Sequence, residues 1–222
     1  MTECLNFCPP WCNNSRAWST GKQAVGSMLT LVDLRNNQID SMRDLSEHYF
    51  LEALLLGYNQ IKTIKGLSKL RYLQTLDLSH NSLYTIEGLD YIPIRELNLS
   101  HNNLISLEGL GNLPCLSALN VSHNNITTLY PLSKCSNLTY VDGSHNELTY
   151  IRQVEFLADI EWLQVFAMHG NPCYSKPHYR LRVIFRLPNL QKLDNISISY
   201  EEKVLYIFLF FAIFMHNALL YA

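Results

Sequence analysis

The chain has 222 residues, a formal net charge of −2 from 17 Lys plus Arg and 19 Asp plus Glu, and a hydrophobic content of 48%. That length suits one domain with tails and is enough to bury a substantial core. The near-neutral charge removes the electrostatic case for binding nucleic acid, which rests on neutralising phosphates.

Residues 1–27 fit no periodic pattern and are rich in Cys, Pro, Asn, Ser and Gly, a composition that predicts disorder. Cys4, Cys8 and Cys12 lie four apart, but Pro9-Pro10 breaks the helix that would align them and no fourth ligand is obvious. They are read as idle reduced thiols. Cys115, Cys135 and Cys173 are scattered as small buried or rim residues. Six cysteines without a framework fit a reducing compartment, and neither metal nor cofactor is expected.

From residue 28 to 171 the chain repeats. Asn37, Asn59, Asn81, Asn102, Asn124, Asn146 and Asn171 recur at intervals of 22, 22, 21, 22, 22 and 25 residues, each behind the same apolar frame. One unit reads Leu73, Leu76, Leu78, Asn81, Leu83, Ile86, Leu89. A period of 20–29 residues with this wording marks a leucine-rich-repeat solenoid. The Leu-x-Leu pair has period two, so both side chains face one side of a short strand. Apolar residues three apart then suit a 3-10 or α-helical turn that returns the chain. The predicted fold is therefore an α/β repeat, a right-handed superhelix with a parallel concave sheet and short helices or 3-10 turns on the convex side. Each Asn is predicted to satisfy backbone groups where the chain leaves its strand, a structural bond rather than a reactive group. Gly143 stands where Leu or Val sits elsewhere, which predicts a local weak point or a bulky neighbour filling the gap. The longer interval after Asn146 predicts about three extra residues on the helical side, through Ile151–Trp162.

Residues 172–203 depart from the repeat as Pro172-Cys173, Tyr179-Arg180, Val183, Leu187-Pro188, Leu190 and Leu193-Asp194. An amphipathic helix around 177–187 and a short strand would cover the open end of the core as a C-terminal cap. The 22-residue repeats with this ending resemble intracellular leucine-rich-repeat proteins of the phosphatase-1 regulatory-subunit and axonemal dynein light-chain type, over roughly 28–203. The stretch 187–203 is also similar to the repeat domain of a leucine-rich-repeat and guanylate-kinase protein. The chain has no G-x-x-x-x-G-K-[ST], since Gly21-Lys22 lacks the upstream Gly and is followed by Gln23.

Residues 204–222 open with an unbroken apolar run from Val204 to Met215. As a helix they would span about 28 Å at 1.5 Å per residue, close to a hydrocarbon core. Three readings stay open: a tail anchor, an ending not native to the protein, and a helix packed on the cap.

The residues beside the paired leucines are predicted to project from the concave face in three ladders. One runs Asp33, Leu55, Asp77, Asn98, Asn120, Asp142, Ala167 and the next Arg35, Gly57, Ser79, Ser100, Ser122, Ser144, His169. The third is Asn36, Tyr58, His80, His101, His123, His145, Gly170. Four histidines in line do not surround a tetrahedral ion, so they read as solvated side chains with a mild pH response at most. Ser, His and Asp on a smooth sheet lack the buried orienting carboxylate and oxyanion hole of a triad, so no catalysis is expected. Recognition remains. Tyr and Arg dominate hot spots, which selects Leu31, Asp33, Arg35, Leu55, Tyr58, Asp77, His80, Tyr140 and Asp142 as the partner-binding set. Tyr72, Tyr84, Tyr91, Tyr130 and Tyr150 form a second surface, read as partly packed.

The sequence thus reads as a monomeric, cytoplasmic, non-catalytic scaffold that docks another protein on its concave face. The resemblance implies phosphatase-regulatory, axonemal or sperm-assembly roles, and with the latter two a cilium. Two rivals are a tail-anchored membrane adaptor touching the bilayer through 204–222, and the truncated repeat portion of a guanylate-kinase-like protein.

Overall fold

The computed structural model describes residues 29–204. The readings of residues 1–27 and of the apolar run beyond 204 fall outside them.

Each Leu-x-Leu frame folds as a strand of three residues: β1 (Leu31–Asp33), β2 (Ala53–Leu55), β3 (Thr75–Asp77), β4 (Glu96–Asn98), β5 (Ala118–Asn120), β6 (Tyr140–Asp142) and β7 (Val165–Ala167). With β8 (Lys192–Leu193) and β9 (Ile196–Ser197) they form one nine-stranded sheet in sequential order. All neighbours are parallel except β8 and β9. The register follows the frame, with Leu54 beside Leu76, Leu97 and Leu119 in turn. These central leucines are buried and their two strand neighbours face the concave surface. Parallel strands need a crossover. Here 3-10 turns carry it at Leu110–Asn112, Tyr130–Lys134 and Ile151–Leu157, the last being longest because the 25-residue interval adds its extra residues there.

The asparagines bind consecutive repeats together. Asn124 Nδ2 donates to the carbonyls of Val121 and Ser122 in its own repeat and Leu99 in the one before, while its Oδ1 accepts the amide of Leu104. Asn81, Asn102, Asn146 and Asn171 repeat the pattern, all buried. Asn37 at the first repeat donates to the Leu34 and Arg35 carbonyls of its own turn. Each buried amide or carbonyl left unmade costs about 1–3 kcal/mol, so one Asn secures several such groups.

In the next repeat the core positions carry Phe166 and Met168, both fully buried. A Cβ at Gly143 would meet only the Ala167 carbonyl oxygen at 3.7 Å, an ordinary contact, and no positive φ constrains the position. Gly109 is the opposite case. Its φ of 98° is left-handed and a Cβ there would press on the Ile86 carbonyl oxygen.

The cap begins with a 3-10 turn, Pro172–Ser175, and helix α1 (Tyr179–Arg186), which buries Tyr179, Val183 and Ile184. Beyond it stands a hairpin rather than a single short strand. Asp194 and Asn195 both adopt positive φ, 49° and 67°, which suits a two-residue hairpin turn. Arg180 fastens the cap: it pairs with Glu202 at 2.7 Å and donates to the carbonyls of Leu193 and Ser197. Residues 200–204 are helical, and Ser199 Oγ accepts the Glu202 amide at their start.

The two glycines give a paired prediction. Gly143→Ala raises the denaturation midpoint, by about 0.4–1 kcal/mol in stability through a less flexible unfolded chain. Gly109→Ala lowers it by more than that. Urea titrations followed by circular dichroism read both.

Candidate interaction face

Two residues of each strand from β1 to β6 face the concave side. The first row is Leu31, Ala53, Thr75, Glu96, Ala118, Tyr140 and the second Asp33, Leu55, Asp77, Asn98, Asn120, Asp142. The second row is the first ladder read from sequence. The other row lies two residues upstream, at the same parity, and of it the sequence reading took up only Leu31 and Tyr140. Glu96 was missed for that reason.

The acidic and amide residues of the second row are tied to the backbone. Asp77, Asn98, Asn120 and Asp142 each accept, through Oδ1, the amide of the Ser two residues on, at 3.0–3.1 Å. That turn folds the Ser ladder inward. Ser79, Ser100, Ser122 and Ser144 are buried and do not project into solvent, which corrects the expectation for the second ladder. Asp33 caps the Arg35 amide in the same way and also takes its guanidinium in a bidentate pair, at 2.7 and 3.0 Å. The Arg35 hydrogen bonds hold the Asp33 carboxyl below its ordinary value. Arg35 is therefore engaged within its own repeat.

A shallow depression of about 310 Å³ lies on this face, bordered by Leu55, Thr75, Asp77, Glu96, Ala118 and Tyr140. It brings Leu55, Asp77 and Tyr140 of the anticipated set together. Leu31, Asp33 and Arg35 sit at the β1 edge outside it, and Asp142 lies beside Tyr140 on β6. Burial, and after it Asp142, raises the Tyr140 phenol above its usual value, so it stays a neutral donor. Tyr72, Tyr84, Tyr91, Tyr130 and Tyr150 are 53–79% exposed; Tyr72 lies against Phe50 and Tyr130 packs edge-on to Phe156.

The histidines of the third ladder are not separately solvated. Tyr58, His80, His101, His123 and His145 form one column of parallel rings, with centroids 3.9–4.3 Å apart and planes within 10–12°. All five residues hold left-handed backbone, φ 50–57°, which turns each ring onto the one below. Gly170 takes the next position, where a Cβ would strike the His145 ring, and His169 closes the column edge-on at 5.2 Å. Parallel rings do not converge on an ion, and among the described residues no three His, Cys, Asp or Glu side chains are placed to hold one. Burial and the neighbouring imidazoles lower the His101 and His123 pKa values, with Asp142 partly opposing at His123. Cys135 and Cys173 are buried thiols pushed up to about 11, and so unreactive. Among the described residues no helix is long and apolar enough to cross a membrane.

A single-file parallel sheet, pinned at each turn by a buried asparagine and open along one face, defines a solenoid of the kind that typically serves as a non-catalytic interaction scaffold. The chain belongs to the leucine-rich-repeat family, whose profiles match residues 94–205 and 72–92. It is 41% identical over 54 residues to mouse cilia- and flagella-associated protein 410, a match covering 23% of this chain and 22% of that protein. Among solved structures it resembles a leucine-rich-repeat protein of Leptospira interrogans, with TM-score 0.65, 23% identity, and coverage of 77% of this chain and 50% of the other. It also resembles internalin C2 of Listeria monocytogenes, with TM-score 0.57, 21% identity, and coverage of 78% and 83%. These two likenesses establish the fold. The match thus spans half of the Leptospira protein and about a fifth of the mouse relative.

The column generates a pH prediction. Lowered folded-state values mean that the unfolded chain binds more protons than the native one below the ordinary imidazole value of about 6.5. Stability is therefore complete above that value and falls as the pH drops through it towards the depressed folded values. The double variant His101→Asn/His123→Asn should flatten that decline, read from urea midpoints between about pH 7 and pH 5.

Proposed function

We propose that this chain is a non-catalytic scaffold whose repeats, 28–171, closed by the cap 172–203, dock a protein partner on the concave face. The observation that carries this reading is the continuous concave sheet with a depression that joins Leu55, Asp77 and Tyr140. Leu31, Asp33, Arg35, Tyr58, His80 and Asp142 extend the contact along the face and its rim. Tyr58 supports this role because it is 53% exposed and ends the ring column with a face free of any further stacked ring among the described residues. The partial likeness to a cilia- and flagella-associated protein supports a ciliary or axonemal setting, and the sequence resemblance adds phosphatase regulation as a role of the same kind. The scaffold acts as a monomer in the cytoplasm.

The test is proximity labelling in ciliated cells, comparing the wild-type chain with Arg35→Ala/Tyr58→Ala. A set of axonemal proteins labelled by the wild type should fall at least tenfold with the variant, about the loss of one hot-spot contact. An unchanged set would remove the site. The apolar sequence 204–222 favours a second reading, a membrane-tethered adaptor. In that case carbonate-washed membranes retain the full-length chain and release a 1–203 truncation.

A further inference from the structure

We propose that the concave face takes a partner segment carrying basic side chains among aliphatic ones. The inference rests on the docking reading above and gives it a partner chemistry.

The depression has an apolar floor in Leu55, Ala118 and Tyr140, and the charged residues that line it are Asp77 and Glu96. These two sit on adjacent strands, paired through β3 and β4. No cation shares the lining. The guanidinium nearest in the sequence of ladders, Arg35, is spent on Asp33. A partner that covered two carboxylates without meeting them would lose their hydration for nothing. A segment with Lys or Arg meets them, and its aliphatic residues fill the floor.

The fold supplies a matched replacement. Asn98 and Asn120 hold the same turn as Asp77 in the same row, so Asp77→Asn keeps the backbone bond and removes the charge.

The experiment uses two fluorescent amphipathic peptides, one of Leu and Lys and one with Glu in place of Lys. Binding to the full chain is read by anisotropy at about pH 7.5. The Lys peptide should bind and the Glu peptide should not, and Asp77→Asn/Glu96→Gln should lower affinity for the Lys peptide at least roughly tenfold. Equal binding of both peptides, binding of neither, or undiminished binding to the Asp77→Asn/Glu96→Gln variant overturns the partner chemistry. The docking reading fails separately, if Arg35→Ala/Tyr58→Ala keeps its cellular partners.

Discussion

A buried asparagine that reaches back one repeat is the contact on which the whole molecule depends. Three-residue strands are too short to hold a sheet by their ladder bonds alone, and the chain must turn sharply at the end of each. The Asn side chain supplies donors and an acceptor at that turn, so groups that would otherwise be buried unpaired are satisfied. Because one of its bonds crosses to the preceding repeat, as from Asn102 to the Leu78 carbonyl, the same side chain also sets the spacing between coils. The leucine column, the alignment of the concave rows and the stacking of the histidines all inherit that spacing.

The stacking shows how one constraint creates features it was not selected to make. An Asx turn at the ends of β3 to β6 folds the Ser inward, and the residue after it stands in left-handed backbone. Any flat side chain placed there must lie over its neighbour, at a separation set by the strands. Tyr58 and four histidines meet that condition, whereas Asn36 and Gly170 bound the run because they carry no ring. The result is a rim of rings whose planes and spacing are set by the coils that carry them.

Much of this was legible in the sequence. The Asn interval fixed the strand positions, the parity of Leu-x-Leu fixed which residues are buried, and the 25-residue gap located the longest convex turn. The direction of the Ser ladder was not legible, because side-chain capping by Asp and Asn overrides strict alternation just past the strand. The ring column was hidden for a similar reason: a line of histidines is evident from spacing, but their parallel planes depend on a backbone conformation that His does not advertise. The cap hairpin could have been read from Asp194-Asn195 between short apolar pairs, a turn signal that went unused. Glu96 escaped because attention stayed on the residue between the two leucines and passed over the one before them.

The strand order is strictly sequential, so every coil touches only the coils before and after it. Among the described residues, no strand pairing joins the two ends of the solenoid to fix its bend. Curvature is thus a sum of small rotations, one per coil, and the elastic cost of altering it is spread along the length rather than concentrated at a joint. The molecule behaves as a leaf spring with a stiff inner layer of asparagine bonds and a thinner outer layer of 3-10 turns. A guest on the concave side can tighten or relax that spring, and because the histidine rings ride on the same coils, bending also opens or closes their stack.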